Sequence, residues 1–426
     1  MSAPAYESYK DSGVATIGHM PTSWMIAQLK RIATLVYGDA LASELRIPGD
    51  VKVFGSNGPV GQHNVANTSE PVIFVGRKGS CGALTWSDDA GFAIDTVYYI
   101  DENSSQVNLR WLYWVLHTLG LSQTSQDTGV PGLSREVAHS SPVPLPSSAE
   151  QTAIAAFLDR ETGKIDALIE AQTRLIELLK EKRQAVISHA VTKGLNLDAP
   201  MKDSGIEWVG HVPAHWDVVA VKRMIDLATS GPRGWSDMQS ESGSLFFQSQ
   251  CIGRAMEAVF DNATLITPPD DADAERARLR HDDVVVCITG GRTGAVAHIR
   301  ELPEASYINQ HVCLLRPRGL ELSGRFLAYA MFSYAGQEQL SLSMYGLKQG
   351  LGLDQVRSHK FTVPPKKEQE AIVSFLDLRF AEFESLICHS EEAITLLTER
   401  RAALISAAVT GKIDVRGLVN IESEAA

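Results

Sequence analysis

The chain has 426 residues, with 39 lysines and arginines against 51 aspartates and glutamates, a formal net charge of −12. That length fills two or three domains, and no run of about 18 apolar residues exists to span a membrane. An acidic balance argues against nucleic acid as a partner of the surface as a whole. The five cysteines, Cys81, Cys251, Cys287, Cys313 and Cys388, are scattered with no Cys-x-x-Cys, which favours reduced cytoplasmic thiols over a disulfide framework or a zinc site. Residues 1–10 lack the basic region and apolar core of a signal peptide.

In chain order, a leader (residues 1–24) comes first and carries Lys10-Asp11-Ser12-Gly13 and Gly18-His19-x-Pro21-x-x-Trp24. A first block (25–146) has short apolar runs, Val72-Ile73-Phe74-Val75 and Thr96-Val97-Tyr98-Tyr99-Ile100, separated by Gly, Asn and Ser. Such runs predict strands and turns. A short aromatic helix is expected over 111–119, and the block closes on proline-rich extended chain at 142–146.

Next comes the longest element (147–194). Apolar residues recur at Ile154, Leu158, Ile165, Leu168, Leu175, Leu179 and Val186, flanked by Phe157, Ile169, Ile176 and Ile187. Steps near three and four make one stripe of a helix. Ser148 and Gln151 fit a capping box, Gly194 fits the C-terminal stop, and no proline intervenes. At about 1.5 Å per residue the helix spans roughly 65 Å, a length suited to a coiled-coil seam.

The same sequence of parts then repeats. Residues 195–216 return the leader as Lys202-Asp203-Ser204-Gly205 and Gly210-His211-x-Pro213-x-x-Trp216, 192 positions on. A second block (217–364) predicts strands at 284–288 and 312–315 and a helix at 326–332. A second long helix (365–412) returns Glu150-Gln151 and Phe157-Leu158-Asp159 as Glu368-Gln369 and Phe375-Leu376-Asp377, now 218 positions on. Its seam is expected at Leu376, Phe383, Leu386, Leu397 and Leu404, matching Leu158, Ile165, Leu168, Leu179 and Val186. Lys366 stands where Ser148 stood, so this helix lacks that cap. A tail (413–426) follows. Leaders and helices match while the blocks diverge, which points to one task performed twice on different targets.

No catalytic signature holds. There is no phosphate-binding Gly-x-x-x-x-Gly-Lys-Ser/Thr, no His-Glu-x-x-His and no Gly-x-Ser-x-Gly. The Gly-rich run 55–61 reads as a structural turn, and Thr267-Pro268-Pro269-Asp270 as a loop. His19 and His211 are expected to make structural hydrogen bonds in Gly-His-x-Pro turns. Asp50-Val51-Lys52 is the nearest approach to a nuclease site, and a single Asp-x-Lys is frequent by chance.

The candidate contacts are polar and basic loop residues, capable of reaching base edges and phosphates. In block one they are Asn57, Gln62, Arg77, Lys78, Ser80, Ser134 and Arg135. In block two they are Arg233, Gln248, Gln250, Arg254, Arg292, Thr293, Lys348 and Gln349. Taken singly, each is more often a solvated side chain. As a set, recurring at corresponding places in both blocks, they favour DNA.

The leaders, the segment Val143-Pro144-Leu145-Pro146 followed by Glu150-Gln151-x-Ala153-Ile154-x-x-Phe157-Leu158-Asp159, its partner at 363–377, and helix endings in Ala-Val-Thr together resemble the specificity subunit of type I restriction–modification systems. The resemblance runs from about Lys10 to Lys412. It implies an α+β chain: two mixed α/β target recognition domains separated by two long antiparallel helices forming a coiled coil, with pseudo-twofold, circularly repeated organisation.

It also implies a non-enzymatic, cytoplasmic, DNA-binding subunit whose domains each read half of a split, asymmetric site. The paired helices set the spacer and dock two methyltransferase subunits. Motor-nuclease subunits are further partners. S-adenosylmethionine, ATP and Mg2+ belong to the partners, with no cofactor, metal or membrane for this chain. The alternative from the residues alone is a coiled-coil scaffold whose blocks bind proteins or glycans.

Overall fold

The computed structural model describes residues 4–123, 132–345 and 350–418. Contacts divide the chain into two units, Met1–Thr173 with Glu391–Ala426, and Arg174–Ser390.

In the first unit the leader is a hairpin, Tyr9–Asp11 against His19–Pro21. The block leaves and returns through a two-stranded ribbon, Met25–Gln28 against Pro142–Leu145. Within it lies a four-stranded antiparallel sheet ordered Val36–Tyr37, Val97–Asp101, Val72–Gly76, Leu84–Ser87. Every residue of Val72–Gly76 is buried, as expected for a continuous apolar strand covered on both faces. Alternation along the strand divides its side chains. Ile73 and Val75 pack on the core that includes the helix Leu109–Leu116, whereas Val72 and Phe74 join a smaller cluster with Phe54, Ala93 and Val97. A second sheet pairs Val51–Gly55 with Gly58–His63 and, in parallel, with Phe92–Ala93.

The second unit repeats this plan. Its leader hairpin pairs Met201–Asp203 with His211–Pro213, and its ribbon pairs Asp217–Ala220 with Lys360–Val363. The four-stranded antiparallel sheet runs Ile225–Ser230, Val312–Pro317, Val284–Cys287, Val296–His298, in the same order of connection as in the first unit. Val284 and Val286 face one core, Val285 and Cys287 the other. Here too a second sheet contains a parallel pair, Ser244–Phe247 with Ser306–Ile308. The expected short helices are present with shifted ends, at Leu109–Leu116 and Gly324–Phe332. Each starts at the residue after its capping Asn108 or Ser323.

The long helices run Ser148–Lys193 and Lys366–Val409. The first capping box sits one residue earlier than expected. Ser147, not Ser148, is the cap: its amide and hydroxyl bond the Glu150 carboxylate, and Glu150 N–H returns to Ser147 Oγ at 3.4 Å. Gln151 is otherwise occupied, donating to Pro146 O and accepting from Asn108 N–H. The second helix lacks the box because Pro365 stands at the position of Ser147. Gly194 and Gly411 end the helices with φ of 76° and 72°. A side chain at Gly411 would begin 2.4 Å from Pro21 Cδ, because the leader packs there.

Burial corrects the seam. Leu158, Ile165, Leu376 and Phe383 are buried as expected, and Leu179, Val186, Leu397 and Leu404 are half-buried. Leu168 and Leu386, however, are 53% and 51% exposed, and Leu175 is exposed as well. The inner stripe instead runs Leu158, Thr162, Ile165, Ile169, Gln172, Ile176, Leu179, Arg183 and Ile187. At the same 218 shift it is Leu376, Phe380, Phe383, Ile387, Ser390, Ile394, Leu397, Arg401 and Ile405. Polar residues hold three positions of the first nine-residue stripe and two of the second, so counting apolar residues alone slipped the stripe onto Leu168.

Candidate nucleic-acid interface

The repeated motif residues bind each block to its helix. Trp24 Nε1–H donates to Glu150 Oε1 at 3.1 Å, and Trp216 Nε1–H to Glu368 Oε2 at 2.9 Å. Gln369 repeats the role of Gln151, accepting from Ser323 N–H and donating to Pro364 O. Asp159 receives Arg110 Nε and Trp114 Nε1, each at 2.8 Å, and Asp377 receives Arg325 Nε at 2.8 Å and Tyr329 Oη at 2.7 Å. Glu-Gln…Asp is therefore a latch that fixes the block on the rod, a role the motif's repetition signals but its chemistry does not reveal. The His19 and His211 side chains are exposed and sit in short strands rather than turns, which corrects the expected structural hydrogen bonds.

In the first unit several candidates converge. Asn57 is exposed in the turn between Val51–Gly55 and Gly58–His63. Ser56 of that turn lies beside Gly76 and Gly79. Lys78 bridges Gly132, and Leu133 N–H donates to Arg77 O at 2.8 Å, bringing Ser134 and Arg135 to the same place. Ser80 is exposed in the adjoining turn. The guanidinium carbons of Arg77 and Arg135 lie 5.0 and 4.8 Å from one ring centroid, that of Tyr37. Tyr98 supports that ring edge-on at 4.9 Å and donates to Leu133 O at 3.1 Å. Burial, first of all, pushes the Tyr98 hydroxyl up to about 12, so it stays a neutral donor. Gln62 stands apart, opposite Lys52 toward the other end of its strand. Ser134 is spent as a helix cap on Val137 N–H.

In the second unit Arg292 reaches Ser249 O and Gly253 O, each at 3.4 Å, which gathers Gln248, Gln250, Arg254, Arg292 and Thr293 into one loop cluster. Thr293 closes its own turn on Gly290 O, and Gln250 is tied to Asn262 O at 3.1 Å. Arg233 is exposed in the loop after Gly231, whose N–H bonds Asn309 O at 3.1 Å. Lys348 and Gln349 lie outside the described residues. Ala83 N–H bonds Ser80 O where Ala295 N–H bonds Arg292 O, so Ser80 and Arg292 hold equivalent turn positions with unlike chemistry. Tyr37, the platform for two arginines, was missed because its partners come from three separate segments.

The Asp50-Val51-Lys52 segment does not form a nuclease site. Asp50 is exposed, and Lys52 pairs with Asp89 at 3.9 Å on the surface. Among the described residues no group of three His, Cys, Asp or Glu is placed to hold a metal ion, and no helix is long and apolar enough to cross a membrane. Cys81, Cys251, Cys287 and Cys313 are buried thiols, and Cys388 is exposed.

Two units of one topology, each latched to the start of a long helix and each carrying a loop cluster of its own composition, define a duplicated α/β protein. The family model described as type I restriction modification DNA specificity domain matches residues 21–180 and 273–389, more than half of the chain, and the chain belongs to that family. It is similar to the MjaVIII specificity subunit of a type I restriction enzyme from Methanocaldococcus jannaschii, at 22% identity over 354 residues, covering 81% of this chain and 77% of the relative. The EcoBI specificity subunit from Escherichia coli is 22% identical over 351 residues, covering 80% and 73%. A solved chain from work on complex assembly and conformational transition of the type I restriction–modification system shares the fold, with a TM-score of 0.68 at 15% identity over 92% of this chain and 98% of that one.

Proposed function

We propose that this chain is the non-catalytic DNA-specificity subunit of a type I restriction–modification complex, each block reading one half of a split asymmetric site. The two long helices lie antiparallel and hold the half-sites at a set spacing. The observation that carries this reading is an exchange of ion pairs. In the first unit Arg401 Nε meets Asp166 Oδ1 at 2.9 Å, and in the second Arg183 meets Glu384. Adding 218 to Asp166 and Arg183 gives Glu384 and Arg401, so the two pairs are images of each other with the helices' roles swapped. That relation supports an antiparallel pseudo-twofold, a circular order in which the first leader sits at the end of the second helix, and two equivalent docking places for two methyltransferase copies.

The leucines off the seam suit that docking. Leu168 and Leu386 are exposed, as are Leu178 and Leu396, again 218 apart. The complex acts on DNA in the cytoplasm, and S-adenosylmethionine, ATP and Mg2+ act on the methyltransferase and motor-nuclease partners. DNA affinity needs only local positive faces in the blocks, and the partners clamp the duplex.

Methylation-sensitive long-read sequencing of a host expressing the chain with its methyltransferase tests this. The expected result is one split motif with two unlike halves. Absence of any split methylated motif overturns the reading.

A further inference from the structure

We propose that Tyr37, Arg77 and Arg135 form a phosphate clamp of the first block, binding the DNA backbone and carrying no base specificity; this deepens the DNA-reading function above and rests on it. Two guanidiniums stacked within about 5 Å of one ring are an unusual concentration of positive charge in a chain of net charge −12. Tyr37 is 43% exposed, so the cluster reaches the surface. Lys78 is exposed beside it.

The hydrogen-bonding state of the arginines decides what they can bind. Reading a guanine requires a free fork of parallel N–H donors. Arg77 has one terminal nitrogen committed to Asp95 O at 2.9 Å. Arg135 has its Nε buried without a partner, so that edge is withdrawn from solvent. Each keeps outward charge on a side chain fixed by the ring and by these contacts, which suits the oxygens of a phosphate set in the backbone. Stacking on Tyr37 holds both side chains in place and lowers the entropy they lose on binding.

The neighbourhood permits a close approach. Gly79 has φ of +80°, and the nearest atom to a side chain there would be Ser56 Oγ at 3.6 Å, so the backbone is open on that side. The opposing charges nearby are Glu136, beside Arg135 and bonded to Ser134 Oγ at 3.2 Å, and Asp95, which offers Arg77 its carbonyl. Sheet register places Ser230 and Cys313 of the second unit where Tyr37 and Tyr98 stand in the first, so the second block has no such platform. Its loop arginine Arg292, at the position of Ser80, spends both terminal nitrogens on backbone carbonyls. The two blocks therefore grip DNA by different means, and base reading in the first falls to residues with free amides, Asn57 foremost.

The test measures binding of the assembled complex to two duplexes, one carrying the methylated split motif and one scrambled, from 50 to 200 mM salt. Arg77→Met and Arg135→Met are each expected to reduce the steepness of log Kd against log salt by about 0.9. Both should weaken the two duplexes by a similar factor. Arg77→Lys and Arg135→Lys keep the charge and should keep the slope, which separates lost charge from lost fold. An unchanged slope, or a loss confined to the motif duplex at one base pair, overturns the clamp. Failure of the unsubstituted complex to prefer the motif duplex would instead overturn the DNA-reading function.

Discussion

A few single side chains in this protein hold the blocks to the rods. Asp377 gathers Arg325, Arg300 and Tyr329 on one carboxylate, and the half-buried Arg325 has little access to water in its place. His359 lies inside the second block. It is almost fully buried, and burial lowers its pKa from 6.5 to about 4. Its Nδ1 lies 3.2 Å from Gln339 Nε2, a donor, so that nitrogen accepts and the ring is neutral. The unfolded chain takes up the proton near pH 6.5 and the folded chain only near 4. Stability is therefore full above about 6.5, falls as pH drops through that window, and levels out below 4. Urea titrations of His359→Gln between pH 7 and 4.5 should show a shallower loss of midpoint than the unsubstituted chain. An identical pH dependence would show that His359 charges without cost.

At the scale of elements the long helices show why a stripe must be placed to within one residue. Ile165 and Phe383 are buried, and a carboxylate there would sit unpaired and out of water. Ile165→Asp or Phe383→Asp should cost about 3 kcal/mol or more and be visible as a lower thermal midpoint. Leu168→Asp and Leu386→Asp, on exposed positions, should change stability by no more than about 0.5 kcal/mol. The double variant should nonetheless fail to recruit the methyltransferase in co-purification, because those leucines belong to the proposed docking face. A large drop in melting temperature for Leu168→Asp would return that residue to the seam. The slip arose from chemistry: Gln172 and Arg183 occupy inner positions and hide a stripe whose steps are otherwise regular. Their images, Ser390 and Arg401, do the same in the second helix.

For the molecule as a whole, the repeat is the functional statement. If the rods are a ruler, their length sets the spacer and the blocks set the half-sites. Seven residues inserted after Arg174 and seven after Glu392 keep the heptad phase of both helices. They lengthen each rod by roughly 10 Å, which corresponds to about three base pairs at 3.4 Å each. Methylome sequencing should then return the same two half-sites with a longer gap. A changed half-site would show that the blocks do not read independently.

The amino-acid sequence by itself determined the duplication, the two long helices, the strands at Val72–Gly76 and Val284–Cys287, and the family. Each of these rests on local pattern: apolar period, glycine and proline punctuation, and motifs recurring at fixed shifts. Only the tertiary structure decided which helix face turns inward, since a polar residue reads as surface until its neighbours are known. It alone revealed that Glu150, Gln151 and Asp159 serve as a latch, because their partners Trp24, Asn108, Arg110 and Trp114 lie 43 to 126 positions away. It likewise joined Tyr37 to Arg77 and Arg135, three residues from separate segments whose shared role depends on one ring. Contacts between distant segments carry no periodic signal, and a site built from them becomes legible only when the chain is folded.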